Sequence, residues 1–252
     1  MRFDWSPLRN ALSACRTDGT ALPFWWRDDD AVAATPALDR LADLAEQTGM
    51  SVHLAIVPAH AENGLITAIA SRALIPIVHG WAHRDHSDPE TRKNEFLTPR
   101  TGATGDTQRA MDRMRSLFGT ALAPMFVPPW NRINPRVVQD LHAQGYTVLS
   151  TFGARAQPQA APGLAAINTH IDPIWWKGTR DLVDPDTLIA RACAHLDARR
   201  AGTEDAREPL GLLTHHLVHT NAIWDFTTAF VQELLAGGAT PWKMERPDNE
   251  QT

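Results

Sequence analysis

Short apolar runs alternate with helix-spaced stretches along almost the whole chain. Leu8 to Cys15 has the spacing of a short helix, and Leu22 to Arg27 is a bulky run suited to a strand buried on both faces. Thr35-Pro36 then reads as an N-cap with proline at the first helical position. Leu38, Leu41, Leu44 and Ala45 form one apolar stripe that Gly49 ends. The alternation continues with a strand at Ser51 to Pro58, a helix at Ala61 to Ser71 and a short strand at Leu74 to Val78. A polar irregular segment from Ser87 to Gly105 follows, then a helix from Asp106 to Phe118 and a strand at Met125 to Val127. Asn134-Pro135 caps a helix running to Gln144 and closed by Gly145, and Tyr146 to Ser150 is a fifth strand. Beyond a loop at Gly153 to Gly163 come a strand from Leu164 to Asn168, a helix from Asp184-Pro185 to Ala198 and a charged loop from Arg199 to Glu208. Leu210 to Leu213 is the seventh strand, and Trp224 to Leu235 the last helix.

Such β–α alternation implies a mainly parallel sheet, and closing it into a barrel is a common solution. We therefore expect one β/α-barrel domain over residues 1–240, with residues 241–252 as a polar tail. The composition agrees: 43% hydrophobic and 21% charged residues suffice for a sizeable core. A net charge of −5 gives no reason to expect nucleic acid or an anionic membrane as partner. Cys15 and Cys193 lie in amphipathic helical stretches, so they read as thiols and not as a disulfide framework. The N-terminal stretch lacks a signal-peptide core and no membrane span is present, which makes the cytoplasm the expected compartment.

Polar residues change the picture. Arg27-Asp28-Asp29-Asp30 follows an aromatic strand, where adjacent carboxylates repel and call for compensating cations. The segments HGWAH (79–83), PPWNR (128–132), Asn168 to Asp172 and THHLVH (214–219) also follow strands. In a β/α barrel the C-terminal strand ends share one mouth, so these segments converge. His79 and His83 stand four apart, on one side if the chain turns helically, and with a carboxylate they make a ligand set for a divalent metal.

The order of these motifs resembles the polysaccharide deacetylase (NodB-homology) superfamily. RDDDA matches its acidic first motif, HGWAH its H-x-x-x-H, VPPWN its proline–aromatic turn, and Leu213-Thr214-His215 its Leu-x-His. The resemblance spans about residues 24 to 220 and implies a distorted (β/α)7 barrel. It also implies a metal-assisted hydrolase that removes an acetyl group from a carbohydrate, or from another small N-acylated compound. The metal ligands would be Asp30, which precedes the small Ala31, with His79 and His83; zinc is the first candidate ion. The base would be Asp29 if the acidic pair is adjacent, or Asp28 if it is Asp-x-Asp, which strand alternation favours. His215 would be the acid, with His216 and His219 behind it.

Two departures bear on activity. Gly80 takes the place of a Ser or Thr that braces the second motif, and Val127 that of an Arg that orients the base; Arg27 or Arg132 is positioned to supply that charge instead. Trp81, Pro129, Trp130, Asn131, Arg132 and Asp172 are the expected substrate-side residues; Trp175, Trp176 and His170 are further candidates. The expected partner is a small-molecule or oligosaccharide substrate. An amidase acting on a non-sugar C–N bond, and a metal- or glycan-binding barrel without catalysis, are the other readings.

Overall fold

The computed structural model describes residues 3–87 and 93–244. In chain order the elements are α1 (Ser6–Thr17), β1 (Pro23–Ala31), α2 (Pro36–Thr48), β2 (Val52–Ile56), α3 (Gly64–Ile69), β3 (Leu74–His79), α4 (Ala103–Phe118) and β4 (Met125–Val127). They continue with α5 (Pro135–Leu141), β5 (Val148–Leu149), β6 (Gln159–Ala161), β7 (Leu164–Ala166), α6 (Pro185–Arg200), β8 (Leu210–Thr214), α7 (Asn221–Ala236) and β9 (Thr240–Pro241). The expected caps are in place: Thr35 accepts from the Leu38 N–H, Asn134 from the Arg136 N–H and Asp184 from the Thr187 N–H. Gly49 ends α2 with a φ of +72°.

The strands run in the order β6-β7-β5-β4-β3-β2-β1-β8, with β9 beside β1; every pairing is parallel except β6 with β7. The sheet curls until the chain beyond β7 meets β8. His170 N–H donates to the Gly211 carbonyl (2.7 Å) and Leu213 N–H to the Ile171 carbonyl (2.8 Å). Gly211 permits this closure, because a Cβ there would run into the Asn168 carbonyl and the Thr169 backbone. Strands β1, β2, β3, β4, β5, β7 and β8 thus form a distorted (β/α)7 barrel, with β6 and β9 as additions.

Alternation along β1 sorts its side chains. Trp25 belongs to the barrel interior with Ala55, Ile77, Val127 and Ile167, while Phe24 and Trp26 join the outer layer under the helices. All three aromatics are fully buried, each contributing roughly 2 kcal/mol or more.

Several elements differ from the sequence expectation. Only Gly64–Ile69 of the expected helix 61–71 is α-helical, preceded by a 3-10 turn at Pro58–His60. Residues 159–161 of the expected loop form β6, a hairpin partner for β7. The start of the expected tail is packed: Trp242 N–H donates to the Phe24 carbonyl (2.7 Å), and Met244 is buried in the barrel interior with Trp242 against it. Residues 245–252 of that tail lie outside the described residues.

Candidate active site

Each of the three adjacent aspartates has its own basic partner. Asp29 points inward, two residues from Arg27 on the same face of β1. Arg27 Nε and Nη2 donate to its two oxygens at 2.9 and 3.0 Å, with both side chains buried. Arg27 is in turn held by donating to Ser150 Oγ (2.7 Å), the Thr151 carbonyl (3.3 Å) and Asn131 Oδ1 (2.8 Å). Of the two arginines expected to supply the charge missing at Val127, Arg27 is therefore seen paired with Asp29, and the Val127 side chain is interior packing.

Asp28 points outward, away from this face. Its Oδ2 accepts from Thr214 Oγ1 (2.6 Å) and from His216 N–H (3.0 Å), and its Oδ1 lies 2.5 Å from His216 Nδ1. Burial opposes a charge on Asp28, but the neighbouring His216 holds its pKa below the ordinary value.

A register irregularity between Asp28 and Ala31 and a φ of +73° at Asp30 break the strand alternation and turn the third carboxylate forward. Asp30 Oδ1 lies 3.0 Å from His79 Nε2 and 3.3 Å from His83 Nε2. Burial works against its charge, yet the hydrogen bond and charge of His79, with His215 and His83 beyond, hold its carboxyl well below the usual carboxylate range. Burial likewise disfavours a charged His79, but Asp29 and Asp30 outweigh it and raise its pKa; burial and the His79 charge lower that of His83.

These three side chains fit a divalent ion. One ligand atom from each lies within 4.8 Å of the others. The His79 Nδ1–H donates to the Val127 carbonyl (3.1 Å), which fixes the ring and leaves Nε2 as the ligand nitrogen. Two imidazoles and a carboxylate suit zinc and leave room for further ligands.

His79 and His83 meet without a helix. Gly80 (φ +55°) and His83 (φ +51°) bend the loop through left-handed conformations. Glu95, buried, accepts from the Trp81 N–H (3.3 Å) and the Ala82 N–H (2.8 Å), bracing the loop where the side chain at 80 is missing. A Cβ on Gly80 would collide with Glu95 Oε2 and the Pro129 ring. Glu95 falls in the stretch read from sequence as irregular, where the aromatic Phe96 is the one sign of burial.

Beyond β8, the His215 ring meets Trp176 edge-on at 4.7 Å, and its charge acts on both Asp30 and Asp172. Asp172 accepts from the Ile174 N–H (2.9 Å) and Trp176 Nε1 (2.8 Å); burial raises its pKa despite His215. Trp130 (φ +57°) sets its ring edge-on to His83 at 4.4 Å.

Other candidates lie elsewhere. Trp81 packs on the outer core with Arg109 4.2 Å over its ring, so it does not present a free face to a sugar. Pro129 is buried behind Gly80, and Asn131 serves Arg27. His170 turns outward: its Nδ1 accepts from the Gly211 N–H (2.9 Å) and its Nε2 lies 3.5 Å from Glu208. His219 packs against Trp224 at 4.5 Å, and burial lowers its pKa to about 4.

No protein-family model matches the sequence, and no curated protein matches it. Solved structures do. The Bc1960 peptidoglycan N-acetylglucosamine deacetylase, in complex with a naphthalenyl N-oxidanyl-benzamide, is 13% identical with a TM-score of 0.54, over 90% of this chain and 91% of that one. A family 4 carbohydrate esterase from Streptomyces lividans in complex with acetate is 14% identical with a TM-score of 0.53, over 88% and 93%. BA3943, a CE4 family pseudoenzyme from Bacillus anthracis, is 12% identical with a TM-score of 0.54, over 88% of this chain and 63% of that one. The chain has the fold of the family 4 polysaccharide deacetylases.

Proposed function

We propose that the protein is a metal-dependent hydrolase that removes an acetyl group from an N-acetylated carbohydrate. The observation that carries this reading is the division of labour at the barrel mouth: Asp30, His79 and His83 gathered as a ligand set, Asp29 held beside them by Arg27, and His215 across from them.

Asp30, His79 and His83 would hold a zinc ion, which when bound supplies Lewis-acid polarisation of the acetyl carbonyl and makes a water molecule more acidic. Asp29 would take the proton of the attacking water as the water oxygen bonds to the carbonyl carbon. The Arg27 fork keeps the carboxylate aimed, and Asn131 and Ser150 keep the fork still. When the C–N bond breaks, His215 gives a proton to the departing amine, so that acetate and a free amino sugar leave. Asp172, held by the Trp176 indole N–H, is a carboxylate close to His215. Trp130 and Trp176 offer ring edges and faces to a sugar on either side.

The fold alone does not decide activity, since a pseudoenzyme shares it. The Arg27–Asp29 pair favours the enzyme over the silent binder, because it supplies the charge that Val127 does not. The test is metal content of protein purified without added metal or chelator, together with amine release from an N-acetylchitooligosaccharide. About one divalent ion per chain, lost in both Asp30→Ala and His83→Ala, with turnover in the wild type, is the expected result. Metal without turnover on a panel of N-acetylated substrates would overturn the hydrolase reading, and no metal after zinc is added back would overturn the site.

A further inference from the structure

Asp28 has no part in the chemistry above, yet it is fully buried and fully used. Two cross-strand features converge on it. Register places Asp28 opposite Thr214, the last residue of β8. The Thr214 hydroxyl accepts from Trp26 Nε1 (2.8 Å) and donates to Asp28 Oδ2 (2.6 Å), so a three-member chain ties β1 to β8. The next contacts come from beyond His215: the His216 N–H donates to the same oxygen (3.0 Å), and the His216 Nδ1–H to the other oxygen (2.5 Å). One carboxylate therefore grips the residue before His215 and the residue after it.

The grip is needed because of what the chain does there. At His215 (φ −143°, ψ 84°) β8 ends, and the backbone turns into a 3-10 turn at His216–Val218. A residue between a strand end and a single turn has no ladder to fix it, and its own N–H makes one long bond, 3.4 Å to His219 Nε2. Asp28 supplies the missing restraint from β1, the strand that also carries Asp29 and Asp30.

We propose that Asp28 and His216 form a positioning pair that sets His215 at a fixed place relative to the Asp29 and Asp30 carboxylates. The pair touches no substrate and donates no proton in the reaction; it acts through His215. This inference rests on the proposed function for its kinetic test, and has a readout that does not.

Because asparagine places its amide nitrogen where the histidine has Nδ1, His216→Asn retains the side-chain donor to Asp28, whereas His216→Ala removes it and Asp28→Asn replaces one of the two acceptor oxygens with a donor. The expected result is a loss of roughly 10- to 100-fold in kcat for His216→Ala and Asp28→Asn, as for other supporting-shell groups, with KM and metal content unchanged and with His216→Asn recovering most of the loss. The second readout is the imidazole NMR spectrum of uniformly 15N-labelled protein, with His215 assigned through His215→Gln. A single sharp His215 signal in the wild type and in His216→Asn, split or exchange-broadened in His216→Ala, supports the pair. Unchanged kcat together with an unchanged His215 signal in folded His216→Ala overturns it. If the wild type shows no turnover, the proposed function fails while the NMR comparison still decides the pair. If Asp28→Asn does not fold, the two His216 variants decide it.

Discussion

At the scale of single residues, three consecutive carboxylates are tolerable because strand geometry sends each one elsewhere: Asp28 out to His216, Asp29 in to Arg27, and Asp30 forward to the two histidines. The sequence shows that cations are needed, and RDDDA itself contains one of them. What it does not show is which aspartate sits beside the ligand, since strict alternation groups Asp28 with Asp30, and the irregularity at Asp30 groups Asp29 with it instead. The Arg27–Asp29 pair is a buried ion pair, so removing one partner leaves an uncompensated charge. Arg27→Met is expected to destabilise the fold by about 3–5 kcal/mol in urea unfolding and to abolish turnover. Arg27→Lys keeps a charge but cannot make the fork, so it should recover part of the stability and little of kcat. Equal recovery of both would mean that charge alone matters at this position.

At the scale of elements, strands and helices are legible wherever local chemistry is strong: the Thr35 and Asn134 caps and the Gly49 stop are in place, and the aromatic run is in β1, which continues past the expected end at Arg27 through the three aspartates to Ala31. The loops were not legible, because their shape is decided by distant partners. The spacing in HGWAH brings its histidines to one side if the chain turns helically; the loop brings them together another way, with Gly80 and His83 at positive φ and Glu95 holding it from fifteen residues past Gly80. No local pattern announces such a bond. Gly80→Ala should therefore fail twice, through a strained φ costing about 1–3 kcal/mol and through collision with Glu95 and Pro129. We expect metal affinity to fall by at least about tenfold in Gly80→Ala, read by competition with a chromogenic chelator, while the protein stays folded by circular dichroism. Retained affinity would show that the loop has slack the backbone geometry does not suggest. Glu95→Ala, which removes both acceptors, should lose metal in the same assay.

At the scale of the whole molecule, the barrel has two ends with opposite characters. The polar mouth holds the site; the other end is stoppered by the returning chain, which the composition of residues 241–252 had suggested was merely a polar tail. Trp242 stacks on His53 with ring centroids 5.6 Å apart, and the Met244 N–H donates to His53 Nε2 (3.1 Å). The His53 Nδ1–H donates to the Trp26 carbonyl (3.2 Å), so both ring nitrogens are committed and the ring is neutral. Burial lowers its pKa from 6.5 to about 4. The unfolded chain therefore takes up a proton at His53 near pH 6.5, and the folded chain only near pH 4. The neutral ring's contribution is intact above about pH 6.5 and is lost as pH falls toward 4, a change of about 3 kcal/mol. Protonated His53 also cannot accept from Met244, so the stopper should loosen in the same window. Urea unfolding of wild type and His53→Gln between pH 7 and pH 4 isolates this group, because all other titrations are common to both proteins. The wild type should lose about 3 kcal/mol more than the variant over that range, with an early change in tryptophan fluorescence from Trp25 and Trp242. Parallel pH dependence in the two proteins would mean that acid enters the barrel elsewhere. The stopper would then be held by the pairing of β9 with β1, independently of His53.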